Sequence, residues 1–300
     1  MKKINMIATA ALATLLAACS NDSDVFNTPD YADTPIGLNV NVSPMATRAG
    51  YEQGALTEGS FGLYLTTQDT EGDERYNCTN REVRYDNGWT IQGGQLLWKS
   101  NDATVTYYAY LPYTGTVDDA ASYAFTVQTD QSTEDNVKAS DLLCTGQQPA
   151  TPGTALDITF KHALSKLNVT LKKGSELEDG QNLTFTSVTL SNCATATTVN
   201  LTDGTTDTAT KSQTITLYAA TENEQYECIL VPQTFAQSLK VEITGNNGKV
   251  YTFTSNKDLT FASGKQYTLN LTVGRDKVTT GTISAKSWGE EQQGGDLVTE

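Results

Sequence analysis

The chain has 300 residues, of which 38% are hydrophobic and 18% charged. That is enough apolar material for one large or two medium domains, and it argues against global disorder. A formal net charge of −15, with no Lys/Arg stripe interleaved with aromatics, excludes nucleic acid as a partner. No D-x-D-x-D-G run accompanies the acidic residues, so they read as solubility on a crowded exterior rather than as a cation site. Abundant Thr, Ser, Asn, Gly and Tyr point to many short strands with polar turns, an all-β chain.

The first segment reads as an address. Lys2 and Lys3 precede the apolar stretch Ile4 to Leu15, which is shorter than the roughly 20 residues a spanning helix needs. Leu16-Ala17-Ala18-Cys19 then has the pattern of a bacterial lipobox. It predicts a lipoprotein signal peptide over 1–18 and a diacylglycerol on the Cys19 thiol. Acyl chains such as palmitate would hold the chain to the outer membrane; each buried CH₂ contributes about 0.8 kcal/mol, so several chains matter. Loss of 1–18 leaves 18 basic against 35 acidic residues, a net charge of −17. Polar residues 19–35 read as a flexible tether, and Asp22 and Asp24 just after Cys19 fit display on the outer surface.

Leu38, Val40 and Val42 alternate with Asn39, Asn41 and Ser43, which predicts a half-buried strand. Ser43 to Gly54 reads as an exposed loop holding Pro44, Arg48 and Gly50. Phe61, Leu63 and Leu65 alternate in the next strand. A charged loop at 69–76 and an Asp86-Asn87-Gly88 turn precede Trp89 and Ile91. Val105 to Leu111 is an aromatic-rich strand ended by Pro112. Beyond a polar, proline-bearing stretch at 147–153 the strands become more regular. They are expected around Ile158 and Phe160, around Leu167, Val169 and Leu171, and at 183–190, 199–201, 213–219, 226–231, 239–243, 250–254 and 267–273. No long helix and no repeat is evident, and the spacing is that of β-sandwiches. The expected layout is an N-terminal sandwich over 36–155, a C-terminal sandwich over 156–290 and a polar tail over 291–300.

The chemistry of catalysis is missing. His162 is the sole histidine, alternates with apolar residues and reads as a packed or edge-strand side chain. No H-E-x-x-H, C-x-x-C, P-loop or dinucleotide fingerprint occurs, so no catalytic residue, metal site or cofactor is assigned. With Cys19 acylated, the even set Cys78, Cys144, Cys193 and Cys228 permits two disulfides in any of three connectivities, while the alternation around Cys228 favours a buried free thiol. Tyr108 and Tyr110 in the aromatic strand have two readings, split between core and surface or a sugar-stacking ligand patch.

Several segments together resemble the fimbrillin family of Bacteroides-type bacteria, including its Mfa-like lipoproteins. The matching pieces are the lipobox at Cys19, Ala46-Thr47-Arg48-Ala49-Gly50, Tyr107-Tyr108-Ala109-Tyr110-Leu111-Pro112-Tyr113, Phe160-Lys161-His162-Ala163-Leu164-Ser165-Lys166-Leu167, Ala262-Ser263-Gly264-Lys265-Gln266-Tyr267, and the late Trp288. The resemblance implies two transthyretin-like β-sandwich domains on an exported, surface-exposed lipoprotein. It also implies a fimbrial subunit (shaft, tip or anchor) that supports adhesion and assembles by strand exchange with its own kind or related subunits. In such subunits an arginine-specific protease cuts after the arginine that follows the first strand, here between Arg48 and Ala49. Leu38, Val40 and Val42 would then leave a groove, open to an extended strand from the next subunit. Such a head-to-tail contact does not close and makes a filament.

The donor departs from that pattern. Val278, Ile283, Ala285 and Trp288 are the candidate donor residues, but they do not alternate strictly, and the segment reads equally as a capping strand of the subunit's own fold. The competing reading is a non-polymerising surface lipoprotein that binds a glycan or a host protein through its loops.

Overall fold

Alternating burial is what makes these segments strands. Leu156, Ile158, Phe160 and His162 are buried while Asp157 and Lys161 face solvent, the period of two that a pleated strand imposes. The computed structural model describes residues 29–43, 54–178, 183–275 and 277–288. Its strands in the first half are β1 (Leu38–Val42), β2 (Gly54–Ala55), β3 (Ser60–Thr67), β4 (Cys78–Tyr85), β5 (Trp89–Ile91), β6 (Val105–Leu111), β7 (Tyr123–Thr126), β8 (Leu143–Cys144), β9 (Gln148–Ala150) and β10 (Leu156–His162). The second half adds β11 (Ser165–Lys173), β12 (Phe185–Val199), β13 (Thr210–Thr216), β14 (Tyr218–Thr221), β15 (Gln225–Leu230), β16 (Gln233–Phe235), β17 (Lys240–Gly245), β18 (Val250–Thr254), β19 (Leu259–Phe261), β20 (Lys265–Val273) and β21 (Val278–Ser287). Short helices α1 (Glu134–Ser140) and α2 (Ser175–Glu178) interrupt them. The protein is all-β.

The first sheet runs β2-β1-β10-β8-β6-β3-β4-β5, with β9 also on β6. A second runs β14-β15-β11-β20-β21. A third runs β13-β12-β17-β18 and takes β7 onto β12. A β16-β19 ribbon completes the set. Two pairings are parallel, β1 with β10 and β11 with β20. The buried apolar set runs from Ile36 to Trp288 as one contiguous cluster.

Local chemistry explains most of the punctuation. Asn87 and Gly88 take positive φ at the β4–β5 turn, and Asp86 N donates to Gly88 O at 2.9 Å. β12 runs 15 residues and carries a bulge between Leu190 and Cys193 in its pairing with β13, which bends the strand, with Asn192 in the left-handed region at φ 64°. The expected 183–190 strand is the first part of β12; of the expected strand at 199–201, Val199 ends β12 and Leu201 lies beyond it. Gly62 sits opposite Tyr110 on β6, and a methyl group at Gly62 would overlap the Tyr110 ring.

Candidate functional site

β1 is the element on which a strand-exchange role would turn. Val40 and Val42 are buried, Leu38 and Asn41 half-buried, and Asn39 exposed. On one side β1 runs parallel to β10 over five residue pairs, from Leu38 beside Leu156 to Val42 beside Phe160. On the other side, among the described residues, it pairs with β2, Asn41 opposite Ala55 and Val42 opposite Gly54, and Val40 O accepts from Leu56 N at 3.4 Å. Upstream, the chain is pinned to 96–98: Ile36 N donates to Leu96 O at 2.9 Å, and Trp98 N to Thr34 O at 2.9 Å. Tyr76 donates its hydroxyl to Asp33. Beneath β1's neighbours Phe61, Trp89 and Phe160 form an aromatic group, with Phe61 centroids 5.1 and 5.4 Å from the other two. Removing everything before β2 would therefore uncover the β10 edge. Cys19, Arg48 and Ala49 lie outside the described residues.

The segment read as a donor or a capping strand forms β21, on the edge of the second sheet. It pairs antiparallel with β20, Val278 opposite Val273 and Ala285 opposite Tyr267. Val278 and Ile283 are partly buried, and Trp288 just beyond the strand is 7% exposed.

The tyrosines of β6 do not form an exposed patch. Tyr110 is fully buried; its hydroxyl lies 2.8 Å from Asn80 Oδ1 and 2.9 Å from Thr114 O, which share its one proton, and accepts from Thr114 N at 3.2 Å. Tyr108 is half-buried and stacks on Tyr64 at 4.5 Å with planes 9° apart. Burial, then Tyr108, pushes the Tyr64 hydroxyl up to about 12. These rings pack the first sheet, so a flat sugar-stacking platform built from Tyr108 and Tyr110 together is corrected: the second ring faces inward because Gly62 opposite leaves it room.

Comparison with known proteins decides the family. The model of the fimbrillin-like family matches residues 47–288. The chain belongs to that family. A candidate fimbrium subunit of Bacteroides uniformis, Fim1C, is 27% identical over 285 residues, 92% of each chain. Two solved structures described as candidate cell adhesion proteins share the fold. One, from B. uniformis, has 22% identity and a TM-score of 0.63 over 84% of this chain and 98% of its own. The other, from Bacteroides ovatus, has 19% identity and a TM-score of 0.64 over 87% and 100%.

This fimbrillin-like chain also carries a buried polar cluster that sequence reading met only as a packed histidine. His162 Nδ1 lies 2.6 Å from Asp141 Oδ1, with the two side chains 1% and 0% exposed. Lys166 Nζ lies 2.9 Å from Glu227 Oε2 on the adjoining strand, again buried. Burial pushes the Lys166 ammonium below the usual lysine range, against the pull of the Glu227 carboxylate. The missed signal was Lys166 beside Leu167 on β11, where burial of a charge implies a partner. Cys78, Cys144, Cys193 and Cys228 are all buried free thiols, so the reading of Cys228 extends to the other three.

Proposed function

We propose that this chain is a structural subunit of a cell-surface fimbria that supports adhesion. In this reading it is exported as a lipoprotein acylated at Cys19, held in the outer membrane, and cut between Arg48 and Ala49. Loss of the segment bearing Leu38, Val40 and Val42 frees the β10 edge for an extended strand from another subunit, self or related. The Val278–Trp288 segment is the donor candidate. The observation that supports the reading is the position of β1 in a fimbrillin-like fold: five parallel pairs to β10 on one side, two pairs to β2 among the described residues on the other, and Arg48 between β1 and β2 in sequence. Two sandwich domains dividing at 155/156 remain part of the proposal. Most strands of the second and third sheets follow that point, which supports it, although β7 joins the third sheet and β10 the first. No catalytic role is assigned.

The test is N-terminal sequencing and intact mass of protein sheared from native cells. A chain beginning at Ala49 in high-molecular-weight ladders is the expected result. An acylated chain beginning at Cys19 and running as a monomer would overturn a shaft role and leave an anchor or a non-polymerising binding lipoprotein.

A further inference from the structure

β21 is held unevenly along its length. It is an edge strand, its register with β20 breaks between Leu269 and Leu271, and none of its described side chains is fully buried. Behind it lies a cavity of about 320 Å³, walled on the β21 side by Gly281, Ile283 and Ala285 and opposite by Phe253 and Phe261. A strand over such a space has few apolar contacts to lose. The first buried side chain comes at Trp288. Its backbone N donates to Gly264 O at 2.8 Å, and its indole stacks on His162 with centroids 3.7 Å apart and planes 25° from parallel. The contact crosses from the second sheet to β10 of the first, where His162 is fixed by Asp141.

The docked state is nevertheless poorly satisfied. Trp288 Nε1 and His162 Nε2 are buried without a hydrogen-bond partner among the described residues, as is Oε1 of Gln266, the residue paired with Lys286 in the β20–β21 register. Orphaned buried polar atoms are costly, and water satisfies them once the site opens.

We propose that Trp288 is a latch: stacking on the His162–Asp141 pair holds β21 against its sheet, and undocking of the indole releases β21 as a local unit while the rest of the fold persists. Undocking loses the buried ring but hydrates Trp288 Nε1 and His162 Nε2, so opening lies well below global unfolding. The same strand, β10, carries the β1 register at Phe160 and the latch at His162, so both termini of the fold lean on it. Any consequence for assembly rests on the reading proposed above.

Hydrogen exchange by mass spectrometry on the full chain tests it. In the wild type, amides of β21 exchange through an opening that spares β11 and β15. Trp288→Ala is expected to speed exchange across 278–287 at least about tenfold with β11 and β15 unchanged. Trp288→Phe, which keeps a stacking ring and removes the orphaned N–H, is expected to leave exchange equal or slower. Unchanged exchange in Trp288→Ala, or equal acceleration of β11, β15 and β21, would overturn the latch. If Trp288→Ala does not fold, the wild type decides: β21 amides opening at lower denaturant than β11 support the latch, and opening together with β11 overturns it. Failure here leaves the fimbrial reading intact, whereas failure to find Ala49 N-termini leaves the latch intact.

Discussion

Lys166 and Glu227 meet at 2.9 Å inside the sandwich, on neighbouring strands β11 and β15, with side chains 0% and 6% exposed. Each charge is tolerated because the other is there. Stripping water from both is expensive, and their attraction recovers only part of that cost.

Breaking the pair should therefore cost far more than deleting it. Lys166→Met leaves a buried carboxylate and is expected to destabilise by about 3–5 kcal/mol. Lys166→Met with Glu227→Met is expected to recover most of that loss. Urea unfolding of the wild type and the two variants gives the comparison. A double variant no more stable than Lys166→Met alone would mean that the pair is not the reason Lys166 is tolerated.

The thiols set an alkaline limit. Burial pushes Cys78, Cys144 and Cys193 up to about 12 and raises Cys228 well above the usual thiol value. An unfolded thiol titrates near about 8.5. Between those values the folded chain holds protons that the unfolded chain has released. The thiols' contribution is thus complete below about 8.5 and is lost as pH rises toward 12. Lys166, lowered by burial, works in the opposite sense as pH approaches the ordinary lysine value, against four thiols and buried tyrosines such as Tyr64, whose hydroxyl burial also raises. Urea midpoints are expected to fall steadily between about pH 8.5 and 11. Alkylation of all four thiols at pH 8 should require denaturant; rapid labelling of any one in the native protein would contradict its burial.

Much of this was legible from residues because period two is a strong signal where one face is apolar. Leu38-Val40-Val42, Phe61-Leu63-Leu65 and Ile158-Phe160 all appear as strands. β4 was not legible, because Cys-Thr-Asn-Arg-Glu-Val-Arg-Tyr buries only Cys78 and Val83 and otherwise alternates among polar residues. α1 was announced by Thr133, which caps it by accepting from Asn136 N, and by Glu134 and Asp135 in its first turn, a local signal lost among strands. The polar cluster needed three dimensions: Asp141, His162 and Trp288 are far apart in sequence, and nothing in spacing joins them. Tyr110 could be read as core or as half of a surface patch because alternation gives a side chain's face but not whether that face is covered.

Gly62 offers a direct check on that aromatic packing. The Tyr110 ring lies across it, and Asn80 Oδ1 would stand 2.7 Å from an added Cβ. Gly62→Ala is expected to destabilise by about 1–3 kcal/mol, since the ring is held by its hydroxyl bonds and cannot slide away. Gly62→Ala combined with Tyr110→Phe should lose less on top of the Tyr110→Phe change, because the ring is then free to shift. Thermal melts of the four proteins read the coupling; strict additivity would mean the ring and the glycine do not constrain each other.

The first strand yields the prediction closest to assembly. Ile36, Val40 and Val42 are 3%, 6% and 3% exposed. At about 1.5–3 kcal/mol for each, their burial is worth roughly 5–9 kcal/mol, an upper bound because an unfolded chain already hides part of that surface. Parallel pairing to β10 adds backbone hydrogen bonds. A fold that depends on a segment to this extent should bind it after the connection is cut. Protein nicked after Arg48 by an arginine-specific protease is expected to keep the N-terminal fragment at high concentration and lose it on dilution, with a melting temperature that falls as the fragment leaves. A synthetic peptide spanning 31–43 should restore the melting temperature in a saturable way. A nicked protein whose stability ignores both dilution and peptide would show that β1 is dispensable, and an empty slot beside β10 would then offer an incoming strand little to gain.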